Sequence, residues 1–237
     1  MAELEVSKSM KKVVHIAKSK EHDTLHKLKE IATEILIIVF AVSLSIFLHT
    51  WSENREKQHE VHVFMKGLEQ DLEKDIKEMQ SDIEAYKNQK KLFQYLSSRT
   101  HSQIAHSDSI QKYQPYLYNF TGLGKNNGRY EGFKSSGNIQ YIENDILQNE
   151  ILNHYEETIP LLKISTEYYK GQKIKFADFI IDHTQDYPQG NLMKVISSNP
   201  VKNRCKIYLS SVDQIIKGYQ SCIDESNRIL DLIRKEH

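Results

Sequence analysis

The chain has 237 residues, with 32 Lys and Arg balanced by 32 Asp and Glu, so its formal net charge is zero. A nucleic-acid-binding domain usually carries a basic excess on one face, so this composition argues against a nucleic-acid partner. The chain contains nine Gly and four Pro, and this scarcity of helix breakers favours long helices.

Residues 1–30 form a polar, Lys-rich tail with seven Lys and five acidic residues. Such a tail can approach anionic lipid headgroups, but the interspersed acids reduce the attraction.

Residues 31–51 form an apolar run. As a helix they span about 30 Å, which is enough to cross the hydrocarbon core of a bilayer. Glu34 near the start and His49 near the end are its ionisable side chains, and Trp51 closes it where an interfacial aromatic residue would lie. A buried helix of a soluble protein is the less favoured alternative, because residues 35–48 are apolar on every face. We therefore predict a transmembrane helix.

The flanking charges predict the orientation of this helix. Six Lys lie within the 20 residues before it, whereas Arg55, Lys57 and Lys66 are the basic residues of the 20 positions after it. By the positive-inside rule, the N-terminus is cytoplasmic and residues 52–237 are exported. No small-residue cleavage site follows the run, so we expect an uncleaved, single-pass anchor in the inner membrane with a periplasmic domain.

One face of the transmembrane helix is a candidate contact surface. Glu34, Ala41 and Ser45 lie at positions i, i+7 and i+11, and Ala41 and Ser45 form a small-xxx-small pair that allows close helix–helix approach in lipid. Glu34 either reaches back to the cytoplasmic interface or makes a polar contact with another subunit. The small residues on the same face favour the second alternative.

Residues 52–99 predict one long helix that continues the membrane helix. Apolar residues recur three or four positions apart along most of it, which defines an apolar seam. The seam comprises Val61, Met65, Leu68, Leu72, Ile76, Met79, Ile83, Tyr86 and Phe93. It packs either within the same domain, which is the simpler alternative, or against a second copy as a coiled coil.

Residues 100–137 change character and predict an irregular connector or short helical turns. An aromatic group within this connector is a candidate ligand or partner surface. Its members are Tyr113, Tyr116, Tyr118 and Phe120.

Helical spacing returns in residues 138–187, through Ile142, Ile146, Ile151, Tyr155, Ile159, Leu162, Tyr169, Ile174 and Phe179. We expect Pro160 to kink or divide this region. Residues 201–234 predict a C-terminal helix with a regular seam that includes both cysteines. The seam comprises Cys205, Tyr208, Val212, Ile215, Tyr219, Cys222, Ser226, Ile229 and Ile233. The resulting fold class is all-α: a single N-terminal transmembrane helix that continues into an extracytoplasmic bundle of long antiparallel helices.

Cys205 and Cys222 are 17 residues apart in the predicted C-terminal helix, or about 25 Å along its axis. A disulfide requires Cα atoms within about 7 Å, so the two cannot pair within that helix. Both lie on the seam, so buried thiols are the first interpretation. The alternative is a disulfide between equivalent cysteines of two chains.

Other motifs give no sign of catalysis or cofactor binding. His59 and His62 lie one helical turn apart, and His101, His106 and Asp108 cluster in the connector, but neither group matches a defined metal-ligand pattern. We therefore expect no metal, no cofactor and no enzymatic activity. The many carboxylate pairs on helix faces are read as solvated.

Two segments resemble a domain-of-unknown-function family of single-pass inner-membrane proteins common in Bacteroidota. The first segment runs from Glu34 through Trp51 to Lys57, and 17 positions separate Glu34 from Trp51, as in the family pattern. The second is Tyr130-Glu-Gly-Phe-Lys-Ser-Ser-Gly-Asn-Ile-Gln-Tyr-Ile142, followed by residues 144–155. The family pattern has Gly and Ala where this chain has Ala41 and Ser45. The resemblance implies the same topology and helical fold, and it supplies no catalytic residues.

These observations predict a non-enzymatic membrane protein whose exported domain is an accessory, scaffold or interaction module of a membrane complex. The expected partners are membrane lipid and either further copies of the chain or another integral membrane protein. The alternative is an extracytoplasmic sensor that binds a small ligand and signals through a partner protein.

Overall fold

A computed structural model describes residue 8, residues 11–15 and residues 24–236, except for residues 106–108, 125, 188 and 189. Within these ranges the secondary structure is helical and no strand is present, which confirms the predicted all-α class. The chain divides into two compact units, residues 1–60 and residues 61–237.

The helices are numbered here in chain order. They are α1 (Thr24–Ser98), α2 (His101–Ala105), α3 (Ser109–Tyr113), α4 (Gly128–Ser135), α5 (Asp145–Asn153), α6 (Ile159–His183), α7 (Leu192–Ile196) and α8 (Asn199–Lys235). Two 3₁₀ helices, Gln114–Leu117 and Asn138–Tyr141, precede α4 and α5, and a π-helical turn, His154–Thr158, separates α5 from α6. Residue 8 and residues 11–15 are also helical.

In the first unit, the predicted span lies within α1. An 18-residue window of this helix has a mean hydropathy of 2.5, and none of the window is buried. Large side chains such as Leu36, Phe40 and Phe47 are 64–70% exposed. By length and composition, this is one helix that is able to cross a membrane.

In the second unit, the apolar seam of α1 packs inside the same chain. Its residues from Val61 to Tyr86, and Phe93 beyond them, are buried apart from the partly buried Ile76. The seam of α8 is buried in the same way, from Val201 through Cys205 and Cys222 to Ile233. Packing within the domain, the simpler of the two alternatives, is therefore what the structure contains.

Cross-helix contacts give the direction of each long helix. Three contacts join α1 to α8: Phe93 with Tyr208, Lys90 with Asp213, and Asp82 with Tyr219. The residue numbers fall along α1 as they rise along α8, so the two helices are antiparallel. Tyr86 and Phe93 of α1 face Tyr169 and Phe176 of α6 in the same order. Consequently α6 runs parallel to α1, and the chain has to return along the bundle before α6 begins.

The connector provides this return. Most of the predicted irregular region, residues 100–137, consists of short helices, but residues 119–127 include no regular structure where they are described. We call residues 119–127 the strap. It leads to α4, where Phe133 stacks on Phe64 of α1 with ring centroids 3.9 Å apart.

Local signals at Gly137 and Asn144 set where the second half of the domain begins. Gly137 adopts a left-handed φ of 76°, which glycine tolerates without a steric penalty. Asn144 then caps α5, because its side-chain oxygen accepts the backbone N–H groups of Ile146 and Leu147 at 3.0 Å. The division expected at Pro160 is present as the π-helical turn His154–Thr158, which ends two residues before the proline.

Candidate functional site

Four carboxylates of α1 hold the strap and the beginning of α4. Asp71, Asp75, Glu78 and Asp82 are spaced four, three and four residues apart, which places them on one helix face. Asp75 and Asp82 are only 5% and 7% exposed. The interpretation of helix-face carboxylates as solvated is therefore wrong for Asp75 and Asp82, whereas Asp71 and Glu78 are half-buried.

Thr121 joins the strap to the middle of the bundle. Its hydroxyl donates to Asp82, and its carbonyl accepts a hydrogen bond from the Tyr86 hydroxyl at 2.8 Å. The hydroxyl of Tyr219 from α8 donates to the other Asp82 oxygen at 2.8 Å. Asp82 thus links α1, α8 and the strap through one buried carboxylate.

The other three carboxylates continue the attachment toward the start of the domain. The Gly124 amide donates to Glu78 at 2.9 Å, the Asn126 side chain donates to Asp75 at 2.6 Å, and Arg129 pairs with Asp71 at 2.7 Å. Burial raises the pKa of Asp75, and the hydrogen bond from Asn126 offsets part of that increase.

A buried lysine fixes the chain just before the strap. The Lys173 amine of α6 is 1% exposed and donates to the carbonyls of Tyr116 and Leu117 at 2.5 and 2.9 Å. It also lies 5.2 Å from the centre of the Phe93 ring. Burial lowers the pKa of Lys173 to about 7, because a charged amine is poorly solvated there. Its role is to satisfy two carbonyls at the end of a 3₁₀ helix.

The π-helical turn presents a second buried polar cluster. His154 Nδ1 lies 2.9 Å from one Glu225 oxygen, and the Asn153 amide donates to the other oxygen at 2.5 Å. Burial alone would raise the pKa of Glu225, but hydrogen bonds from His154, Thr158 and Asn153 outweigh this effect and leave the pKa below its ordinary value.

Ser226 completes an arrangement with the order of a catalytic triad. Its hydroxyl lies 3.5 Å from His154 Nε2, on the opposite side of the ring from Glu225. Ser226 and His154 are 0% exposed and Glu225 is 3% exposed. A nucleophile has to contact its substrate, and these three side chains are shielded from solvent, so they form a structural cluster of the core.

Cys205 and Cys222 are unpaired and 0% exposed, as expected for seam thiols. Burial raises the pKa of each thiol to about 12. Because the thiolate is the reactive form, both cysteines are protected by burial and by protonation.

We expect neither cysteine to react with iodoacetamide in the folded protein at pH 8, whereas both react after unfolding. Mass spectrometry of the intact chain measures the number of added groups. Labelling of the native protein at the rate of a small exposed thiol would contradict the buried placement.

The aromatic group of the connector is partly exposed at the surface of the domain and partly packed against its core. Tyr113, Tyr116 and Tyr118 are half-buried and pack against the main core. Phe120 is 48% exposed, and the Lys170 amine lies 5.2 Å above its ring. Three of the four candidate ligand-binding rings therefore take part in domain packing.

In the membrane-helix face, Glu34 has a partner from its own chain. Its carboxylate lies 3.5 Å from the amine of Lys12, and its side chain is only 15% exposed. Ala41 is half-buried and Ser45 is exposed. The two predicted environments of Glu34 were the interface and another subunit. Lys12 was not predicted as its partner, because the contact joins positions 22 residues apart.

No group of three or more potential metal ligands occurs in the described ranges. His106 and Asp108 of the predicted connector cluster lie outside them. His101 contacts the Ser197 hydroxyl at 2.9 Å.

An exposed apolar stripe on α6 is the main surface feature of the second unit. Leu161, Ile164 and Tyr168 lie at positions i, i+3 and i+7 and are 64%, 68% and 67% exposed. Gly171 continues the stripe one turn further, with nothing within 4 Å of where a Cβ would lie. We call Leu161, Ile164, Tyr168 and Gly171 the α6 face.

The α6 face was not predicted, because a single seam was followed through residues 138–187. That seam was partly wrong, since Ile146 and Ile174 are 66% and 44% exposed. The buried positions of α6 are Ile159, Leu162, Thr166, Tyr169, Lys173, Phe176 and Ile180. The sequence does contain a second set of apolar residues, which lies on a different side of the helix from this seam. That second set could have indicated the α6 face.

Comparison with known proteins adds no relative: no family model, no curated protein and no solved structure matches the chain.

Proposed function

We propose that the chain is a non-enzymatic, single-pass inner-membrane protein whose second unit is an interaction module of a membrane complex. The observation that carries the proposal is the α6 face. Its three large apolar side chains remain about two-thirds exposed in a domain that buries its other seams. Contiguous exposed apolar side chains on a folded domain mark sites of association.

The spacing of the α6 face identifies the chemistry of its partner. Side chains at i, i+3 and i+7 form a ridge that fits the groove of another helix. Gly171 at the next position allows the partner backbone to approach closely. The proposed partner is therefore an apolar helical face of a second protein chain in the same membrane.

Two further observations support the accessory role. The Ser226–His154–Glu225 cluster is closed to solvent, which leaves it without access to a substrate. The tyrosines of the connector are engaged in packing, so the α6 face is favoured over a small-ligand site there.

The proposed topology rests on the sequence. The lysine bias around residues 31–51 favours a cytoplasmic N-terminus and a periplasmic second unit. The Glu34-to-Trp51 spacing supports membership of the Bacteroidota family that the sequence resembles.

We expect the double substitution Leu161→Glu and Ile164→Glu to weaken association at least about tenfold, since each buried apolar side chain contributes about 1.5–3 kcal/mol. The full chain is purified in a mild detergent, and light scattering with mass spectrometry gives the mass and composition of the complex. Ile207→Glu is the matched control, because Ile207 is 67% exposed on α8.

The double variant must retain the helical circular dichroism spectrum of the native chain. A complex that keeps its mass and composition in this variant would contradict the proposed docking surface. A complex of unchanged composition in Ile207→Glu shows that the effect belongs to the α6 face.

A further inference from the structure

A basic helical face lies near the N-terminus. Residue 8 and residues 11–15 are helical, and Lys8, Lys11, Lys12 and His15 are spaced i, i+3, i+4 and i+7. This spacing places four basic side chains on one side of a helix. All four are exposed.

The valines of this segment, Val13 and Val14, fall on the opposite side. Val13 is half-buried and Val14 is 54% exposed. A short helix with a Lys-rich face and an apolar face is typical of segments that lie in the interface of a membrane.

One contact places this segment beside the apolar stretch of α1. The Lys12 amine lies 3.5 Å from the Glu34 carboxylate, at the beginning of that stretch. If the stretch crosses the membrane, lipid headgroups surround its beginning. The pair also neutralises Glu34, which leaves Lys8 and Lys11 as the lysines of the described segment available to other anions.

The lysines are clustered within the tail, so this segment is more positive than the net charge of residues 1–30 indicates. Between Glu5 and Glu21 the sequence has five Lys and no acidic residue. The five acids of residues 1–30 lie outside this stretch, so they dilute its positive charge less than the overall composition implies.

We propose that residue 8 and residues 11–15 lie in the membrane interface and bind anionic phospholipid headgroups through Lys8 and Lys11. Lys12 anchors the segment to Glu34, and the valine side faces the acyl chains. The surface selects lipids with a net negative headgroup over zwitterionic ones. This inference rests on the membrane span and is independent of the α6 face.

The test uses the full chain reconstituted in phosphatidylcholine vesicles with trace spin-labelled lipid. Electron paramagnetic resonance gives the fraction of each spin-labelled lipid that is motionally restricted by the protein. The ratio of the fraction for phosphatidylglycerol to the fraction for phosphatidylcholine measures the lipid selectivity. We expect at least about a threefold preference for phosphatidylglycerol in the native chain, since each lysine near an anionic surface contributes measurably to the attraction. High salt should reduce it.

Lys8→Gln with Lys11→Gln should bring the ratio close to one. The control is Lys91→Gln with Lys206→Gln, which removes two exposed lysines of the second unit and should leave the ratio unchanged. An unchanged preference in the Lys8/Lys11 variant, or no preference in the native chain, would overturn the proposal. Loss of the preference on adding inorganic phosphate at constant ionic strength would also overturn it, by indicating a site for free phosphate.

Discussion

Glu225→Leu is expected to lower the free energy of unfolding of the second unit by about 3 kcal/mol. The substitution removes the acceptor of His154 and Asn153 inside a core where His154 is 0% exposed. The His154 ring then remains buried without its carboxylate, whereas the exposed Asn153 side chain can hydrogen-bond to water. Urea unfolding of the full chain in mild detergent, followed by circular dichroism, measures the change.

The double variant His154→Leu with Glu225→Leu provides the control. Replacing both members of a buried pair with apolar groups removes the unsatisfied donor and acceptor together, so we expect it to recover at least half of the loss. A double variant as unstable as the sum of the two single variants would show that the pair itself does not account for the effect.

The same pair predicts an acid dependence. The folded-state pKa of Glu225 lies below its ordinary value near 4.5, so the unfolded chain binds more protons in that range. The contribution of the ionised Glu225 to the free energy of unfolding is therefore present above about pH 4.5 and is lost as the pH falls through the folded-state pKa. The stability difference between the native chain and Glu225→Leu should shrink in that acid range.

Asp82→Leu is expected to release the strap and to cost about 2–4 kcal/mol, because the hydroxyls of Tyr219 and Thr121 both lose their acceptor. Hydrogen exchange measured by mass spectrometry should show faster exchange in peptides that cover residues 119–127. Peptides from the middle of α8 should change less, since that helix retains its apolar seam.

Glu84→Leu is the matched control for this prediction. Glu84 lies on α1 two residues from Asp82, but it is exposed and pairs with Lys87 on the surface. Its replacement should leave both unfolding and strap exchange essentially unchanged. If the strap exchanges hydrogen at the same rate in Asp82→Leu as in the native chain, the Asp82 carboxylate does not hold the strap.

Local periodicity was sufficient to predict the elements that are long and have one apolar face. The seam of α8 contains Cys205, Tyr208, Val212, Ile215, Tyr219 and Cys222, and all of them are buried as predicted. The predicted C-terminal helix, 201–234, agrees with Asn199–Lys235 within two residues. A regular pattern over ten turns averages out individual exceptions, which explains this agreement.

The same reasoning placed Ile159, Leu162 and Tyr169 of α6 correctly in the core but misassigned Ile174, where polarity and burial disagree. Lys173 occupies a seam position and is buried by donating to two carbonyls, whereas the apolar Ile174 beside it is 44% exposed. A pattern search assigns the isoleucine to the core and the lysine to solvent. The acceptors that reverse this assignment are 56 and 57 residues away in sequence.

The strap and its carboxylate stripe could not be predicted for a related reason. Each contact joins residues far apart, such as Gly124 with Glu78 and Arg129 with Asp71. The sequence contains the 4-3-4 spacing of the acids, but it does not indicate that an irregular segment returns along them. The parallel direction of α6 and α1 follows from that return and was also missed.

The most direct test of the proposed role is photo-crosslinking at Ile164 in intact membranes. A benzophenone amino acid replaces Ile164 in one variant and Ile207 in another, since both side chains are about equally exposed. The α6 face as a docking surface predicts one discrete product of fixed mass from position 164 and none from position 207. Absence of a product at position 164, or the same products from both positions, would contradict it.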